Sequence, residues 1–461
     1  MLPGGLALGL ALSGCAIFGP IFGFPPIGEA ELVIENATEE RWVVRVVADA
    51  FPQDFAVPSG TTGMALLFAG APQTIVLLDT DCQQIDELEW TDTSMAVRID
   101  GAGALTAIEP PEAADPEGLL EYPDCMSGFG AAPAAGERVI GASGTIVFGG
   151  NEGGAWQVDA ATAEVQNVVE SSGFTFDSEH AVSPDGATIA FTRFSGASAT
   201  ADLFVADAGG GNERMLVEGA GEPAWSPDGS RIAYLRIDPF AGGPMLSVID
   251  VEGGESTEVA EDASTPRWSP DGSQIAFMAV DFARLNQPVL PPPAELQVVD
   301  ADGSGLATIA EASPFAGPPA WSPDGMKLAF SGGSEAVSTI DVVGVDGGEV
   351  STVAEVEDAM LNEPAWDPDG GRIAFVISSA TLFSATGAIG MVSSDGGVVT
   401  RLAEMDNAYF AGPIWSPDGE WLAAARSSGM ALSADLVVIE VASGQETVLA
   451  TGAMRALSWR E

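Results

Sequence analysis

The chain has 461 residues, 16 of them Lys or Arg and 67 Asp or Glu, so its formal charge is −51. That balance excludes a nucleic-acid partner, which needs a basic footprint, and disfavours electrostatic adhesion to anionic lipid. With 46% apolar residues the chain can bury a sizeable core, and its 56 Gly and 31 Pro favour turns and short strands over long helices.

The first residues read as an address. Leu6 to Leu12 is an apolar run too short to cross a bilayer, and it leads into Leu12-Ser13-Gly14-Cys15. The tetrapeptide resembles the bacterial lipobox, which makes residues 1–15 a lipoprotein signal peptide and Cys15 the lipidated residue. The alternative keeps residues 2–28 as one uncharged membrane anchor, although Pro20, Pro25 and Pro26 make a spanning helix poor there. Both readings place the bulk of the protein in the cell envelope, outside the cytoplasmic membrane. If Cys15 is lipidated, Cys82 and Cys125 remain as a possible disulfide in a compartment where such bonds persist. Two unpaired thiols is the alternative.

Residues 30–108 read as a small all-β domain. Glu31–Asn36, Arg41–Val47, Met64–Phe68, Thr74–Leu78 and Met95–Ile99 are β-rich runs bounded by turn formers, and a compact sandwich is expected from them. Residues 109–137 are rich in Pro, Ala, Gly and acid and read as a linker.

From residue 138 the chain repeats itself. Trp225-Ser-Pro-Asp-Gly229, Trp268-Ser-Pro-Asp-Gly272, Trp321-Ser-Pro-Asp-Gly325, Trp366-Asp-Pro-Asp-Gly370 and Trp415-Ser-Pro-Asp-Gly419 share one pattern, and Val182-Ser-Pro-Asp-Gly186 is a sixth copy. Short β runs follow, beginning at Ile189, Ile232, Ile275, Leu328, Ile373 and Leu422, with spacings of 43, 43, 53, 45 and 49 residues. That period belongs to four-stranded propeller blades. In each unit Pro presets φ at the second turn position and Gly takes the positive φ that follows. Ile146–Phe148 and Trp156–Asp159 have no motif strand before them, and Leu457–Trp459 is a motif strand with nothing after it. Joining these ends gives seven blades, one built from both termini of the domain. Six blades is the alternative, with Leu457–Trp459 lying over the edge.

Pro-x-Trp-Ser-Pro-Asp-Gly followed by Ile-Ala-Phe resembles the TolB-type propeller repeat, which also occurs in the propellers of prolyl-oligopeptidase-like and tricorn-like peptidases. The resemblance covers residues 138–461. It implies an all-β propeller acting as a scaffold for binding, and it does not name the partner.

The search for chemistry is short. No Gly-x-Ser-x-Gly nucleophile turn is present, and the one His, His180, stands where other repeats carry Pro223, Pro266, Pro319, Pro364 and Pro413. No catalytic residue, cofactor or metal is expected. Asp300-Ala-Asp302-Gly-Ser304 begins like a calcium loop but lacks the terminal Glu and reads as a hairpin turn. Function is expected where the repeats disagree, in the loops between second and third strands. These carry Phe194, Phe240, Phe282, Leu382, Phe383 and Met430, and Arg193, Arg236 and Arg426 share one repeat position beside them. On an acidic background the three Arg would form a positive arc on a partner-binding rim. In the alternative they neutralise nearby carboxylates.

The sequence therefore predicts a non-enzymatic envelope lipoprotein whose propeller binds a protein or peptide. A small-molecule or glycan sensor using the central channel is the alternative, and a propeller-type hydrolase or lactonase is the third reading.

Overall fold

Each repeat turns where Ser-Pro-Asp-Gly reverses the chain. At Ser269 the backbone N–H donates to Gln274 O at 2.9 Å and Gly272 N–H donates to Ser269 O at 2.9 Å. The Ser269 hydroxyl donates to Asp271 Oδ1 at 2.7 Å and accepts the Gln274 N–H at 3.0 Å. Gly272 sits at φ 71°, and its counterparts Gly186, Gly229, Gly325, Gly370 and Gly419 lie between 68° and 73°, a region that favours glycine. In the one copy with Asp for Ser, Asp367 Oδ1 accepts the Arg372 N–H at 3.1 Å and Oδ2 pairs with Arg372 Nε at 2.8 Å.

The computed structural model describes the strands between Gly28 and Ile108, and residues 133–460 apart from 151–153, 170–174, 196–200, 238–242, 282–293, 315, 335–336, 381–384, 407 and 429–433. Among the described residues every regular element is a strand. The chain divides into two compact units, the N-terminal strands and the repeat region.

The N-terminal unit holds two four-stranded sheets. In one, Gly28–Asn36 lies between Thr62–Ala69, antiparallel, and Ser94–Ile99, parallel, with Leu105–Ile108 at the edge. In the other, Trp42–Val47 and Gln73–Leu78 are central, flanked by Gln53–Val57 and Gln84–Trp90. Leu77, Val97 and Ile99 are fully buried. Three strands were not anticipated: Gln53–Val57, Gln84–Trp90 and Leu105–Ile108. All three are sheet edges, where polar residues such as Glu87 and Glu89 are tolerated and the apolar signal is weak.

In the repeat unit, five four-stranded antiparallel sheets of described residues follow one another in sequence order, spanning 175–217, 220–260, 263–312, 320–357 and 360–406. One further sheet joins both ends of the unit. Ala408–Trp415, Trp421–Ser428 and Ala434–Glu440 lead into the 15-residue strand Glu446–Arg460. The first part of that strand pairs with Ala434–Glu440 and its last part with Thr145–Gly150, and Ala453 stands opposite both Ala434 and Gly150. Ala155–Asp159 and Val165–Val169 complete the sheet. Ala134 and Ala135 pair with Thr451 and Ala450, so the chain joins this unit within the stretch expected to be linker.

Second strands are buried on both faces, as strands sandwiched between sheets must be. Ile232 and Tyr234 pack on Ala190, Leu203 and Val205 of the preceding sheet, while Ala233 and Leu235 pack on Trp268, Ile275 and Phe277 of the next. Burial of each large side chain contributes about 1.5–3 kcal/mol. The Trp of the motif adds a directional clasp. Trp225, Trp268, Trp321, Trp366 and Trp415 donate their indole N–H to the carbonyls of Ala181, Ala224, Arg267, Ala320 and Ala365, one sheet back, at 2.9–3.0 Å. Arg231 and Arg372 place their guanidinium over the next Trp ring, 4.8 and 4.7 Å from its centroid.

Candidate functional site: a charged collar on the first strands

The first strand of each sheet lies against the first strand of the next, so residues in register on these strands are brought together. Three residues before the motif Trp, or before Val182 in the first copy, five of these first strands bulge. Ladder pairing skips from Ser178 to Ala181, from Gly221 to Ala224, from Ser264 to Arg267, from Asn362 to Ala365 and from Ala411 to Ile414. Glu179, Glu222, Thr265, Glu363 and Gly412 occupy the bulges with φ between 49° and 60°. For the four non-glycine residues this left-handed conformation costs about 1–2 kcal/mol each. Three of these freed backbone N–H groups find carboxylate acceptors on the preceding sheet, and Glu363 N–H donates to Asn362 Oδ1 of its own strand at 3.0 Å.

Glu222 N–H donates to Glu179 Oε2 at 2.8 Å. Thr265 N–H donates to Glu222 Oε2, and Gly412 N–H donates to Glu363 Oε2 at 2.7 Å. A carboxylate on one sheet thus caps the bulge of the next. Asn362 plays the related role for Gly317, whose N–H donates to Asn362 Oδ1 at 2.8 Å.

The electrostatics of this collar are unusual for a surface so acidic. Burial raises the Glu179 carboxyl above its ordinary range. Burial, and after it the charge of Glu179, pushes Glu222 up to about 7. Arg455, from the long C-terminal strand, reaches Glu363 Oε2 at 3.1 Å. Arg267 is held down to about 10 by burial and by Arg455, with Glu222 and Glu363 opposing. Its guanidinium donates to its own neighbour Pro266 O at 2.8 Å, and among the described residues no carboxylate forms an ion pair with it. His180 stacks on Phe191 at 6.2 Å, and burial lowers its pKa to about 4, so the ring is neutral at pH 7. His180 Nε2 and Thr265 Oγ1 are sealed from bulk solvent with no protein hydrogen-bond partner. Buried polar atoms normally have one.

The predicted rim residues behave differently. Arg193 pairs with Glu213 at 2.6 Å and lies over the rings of Phe191 and Phe204 at 5.1 and 4.9 Å. Arg236 pairs with Glu258 at 2.8 Å, and Arg426 pairs with Asp435 at 3.0 Å and with Glu446. All three guanidinium groups are therefore matched by carboxylates of the repeat unit. Phe240, Phe282, Leu382, Phe383, Met430 and the side chain of Phe194 lie outside the described residues, as do Cys15, Cys82 and Cys125. In the loop weighed for calcium, Asp302 Oδ1 accepts from the Ser304 N–H at 2.9 Å and from its hydroxyl at 2.6 Å. Those carboxylate contacts belong to a hairpin turn.

Sequence reasoning stopped at the Pro column that His180 interrupts and missed the collar one residue earlier. Glu222-Pro223 and Glu363-Pro364 repeat the same dipeptide, and Arg267 stands where other copies have Ala224, Ala320 and Ala365. Those were the available signals.

A family model, the TolB beta propeller domain, matches residues 246–458. Among curated proteins none matches the sequence. Solved structures share the fold at low identity. A prolyl endopeptidase is 14% identical with a TM-score of 0.50, over 70% of this chain and 49% of that one, so the chain spans about half of the peptidase. An oligogalacturonate lyase in complex with manganese is 14% identical with a TM-score of 0.49, over 70% and 90%. TolB from Acinetobacter baumannii is 16% identical with a TM-score of 0.40, over 72% and 79%. Residues 246–458 of the repeat unit are thus similar to a TolB-type β-propeller domain.

Proposed function

We propose that the protein is a non-enzymatic binding scaffold of the cell envelope, and that its recognition site is the collar on the first strands. The observation that carries this reading is the contrast in charge pairing. Arg193, Arg236 and Arg426 are each matched by a carboxylate, whereas Arg267 has none in ion-pair contact and His180 Nε2 and Thr265 Oγ1 have no partner at all. Unsatisfied polar atoms held in a rigid frame recover hydrogen bonds when a ligand supplies them. The rim arc offers no such gain unless its present ion pairs break first.

The scaffold reads as seven blades. In support, the strand Glu446–Arg460 serves two sheets and lies against both Ala408–Trp415 and Thr175–Val182, so that the run of first strands closes on itself. The N-terminal strands read as a small sandwich with Leu77 on one sheet and Val97 and Ile99 on the other. Lipidation at Cys15 supplies the envelope location in this reading. Among the described residues no helix is long and apolar enough to cross a membrane. Labelled fatty acid should enter the wild type and fail to enter Cys15→Ser.

The binding test is native mass spectrometry of the full chain after incubation with an envelope extract, which retains peptides and small molecules alike. An added mass should survive reversal of Arg193, Arg236 and Arg426 to Glu and disappear from the Glu222→Gln, Arg267→Gln double variant. Loss in the rim variant with retention in the collar variant would move the partner to the rim. Turnover of an ester or lactone by the purified protein would reject the non-enzymatic reading.

A further inference from the structure

The collar carries its charges as two like-signed pairs. Glu179 and Glu222 stand on adjacent first strands, joined by the 2.8 Å hydrogen bond from Glu222 N–H to Glu179 Oε2, and each charge disfavours the other. Arg267 and Arg455 come from the strands Ala263–Trp268 and Glu446–Arg460 and likewise oppose each other. Arg455 is partly relieved by Glu363, and Arg267 has no carboxylate in contact. Arg267 and Arg455 also lie within electrostatic reach of Glu222, so both signs are present in one small region.

An occupant that relieves this arrangement must bring both signs. A simple anion would gain Arg267 and be repelled by Glu179 and Glu222. A simple amine would gain the carboxylates and be repelled by the guanidinium groups. A metal ion would need a cluster of ligands, and among the described residues no group of three or more His, Cys, Asp or Glu is placed to hold one. A molecule with an ammonium and a carboxylate on neighbouring atoms meets every demand. Its ammonium can donate to the Glu179 and Glu222 carboxylates and to Thr265 Oγ1, and its carboxylate can take the guanidinium fork of Arg267. His180 Nε2, neutral and unpartnered, is available to either end.

We propose that the collar formed by Glu179, Glu222, Thr265, Arg267 and His180 binds a small zwitterion of the α-amino-acid class. This rests on the reading of the collar as the recognition site and names its ligand chemistry. Binding an ammonium favours the charged form of Glu222, so occupation near neutral pH expels a fraction of a proton.

The test is isothermal titration of the full chain at pH 7 with individual L-amino acids, and with ethylamine and acetate as single-charge probes. Saturable one-to-one binding is expected for at least one amino acid, with each single-charge probe at least about tenfold weaker. Glu222→Gln keeps an acceptor for the Thr265 N–H, and Arg267→Gln removes the cation. Each should weaken binding by about tenfold or more, while Arg236→Gln leaves it unchanged. The apparent enthalpy should differ between phosphate and Tris buffers in the wild type and lose that difference in Glu222→Gln. Thermal unfolding of each variant shows whether it is folded.

Absence of saturation by any amino acid at about 10 mM would overturn the proposal, as would a folded Glu222→Gln that binds normally. Equal binding by acetate or ethylamine would also overturn it. If amino acids fail but the envelope-derived mass still depends on Glu222 and Arg267, the collar stands as a recognition site with a different ligand. If that mass is indifferent to them too, both readings fall.

Discussion

Glu222 donates its backbone N–H to the Glu179 carboxylate at 2.8 Å, while its own carboxylate accepts the N–H of Thr265 on the following sheet. One residue is therefore donor to the sheet behind it and acceptor for the sheet ahead. The left-handed bulge makes this possible, because it releases the backbone N–H from the ladder and turns the side chain toward the neighbour.

The first prediction follows from that burial. Glu222 is raised from 4.5 to about 7, so between those values the folded protein keeps a proton that the unfolded chain gives up. Its contribution to stability is fully present below pH 4.5 and is lost as pH rises through about 7. His180, lowered from 6.5 to about 4, acts in the opposite sense below pH 6.5. The clean window for Glu222 is pH 6.5 to 8. There, urea unfolding should show the wild type losing stability with pH and Glu222→Gln losing less, the gap being on the order of 0.5–1 kcal/mol. Parallel pH profiles would refute the burial argument.

The Trp clasp yields a second prediction. Trp268 is nearly buried, donates to Ala224 O at 3.0 Å and supports the Arg231 guanidinium. Trp268→Phe keeps most of the packing and should cost about 1 kcal/mol for the lost hydrogen bond. Trp268→Ala should cost about 3–5 kcal/mol. Chemical denaturation that found the two equally destabilised would assign the whole effect to the hydrogen bond and none to packing.

A third concerns the tail. Trp459 donates its indole N–H to Ser143 O at 2.9 Å, joining positions 316 residues apart, and its strand pairs with Thr145–Gly150. Trp459→Ala should destabilise the repeat unit by about 3–5 kcal/mol, as a buried internal Trp would. Removal of residues 453–460 should lower the unfolding temperature further and expose the Thr145–Gly150 edge to proteolysis. An unchanged melting curve after that deletion would mean that the last strand closes nothing.

The fourth separates the three rim arginines. Arg426 and Arg193 have side chains 13% and 14% exposed and are paired with carboxylates, whereas Arg236 is 48% exposed. Reversal to Glu should therefore destabilise in the order Arg426, Arg193, Arg236. The exposed position should fall within about 0.5 kcal/mol of wild type. Differential scanning fluorimetry on the three single variants checks the order, and equal shifts would contradict it.

The expectations drawn from sequence fared according to how local their causes were. The Ser-Pro-Asp-Gly turns were legible because Pro, Asp and Gly act within a few residues, as the Ser269–Gln274 contacts illustrate. The strands after them were legible because Ile232, Ala233 and Tyr234 are apolar on both faces. Edge strands such as Gln84–Trp90 were missed because one side of an edge needs no partner and its residues can be polar. The collar was missed for a different reason. Glu222 and Thr265 are 43 residues apart, and nothing in either local sequence announces that one will accept a hydrogen bond from the other.

By itself, then, the amino-acid order determined a propeller of short, turn-bounded strands, because turn geometry and apolar patterning are properties of neighbouring residues. Only the tertiary structure decided what its charges do. Arg193, Arg236 and Arg426 share one repeat position that left open a free positive arc or pairing with nearby carboxylates, and folding sets carboxylates against them. Arg267 stands where other copies carry Ala181, Ala224, Ala320, Ala365 and Ile414, and folding leaves it half-buried within electrostatic reach of Glu222 with no carboxylate in ion-pair contact. The difference is physical: a charge acts through distance and burial, and both are set by which sheets come to lie side by side.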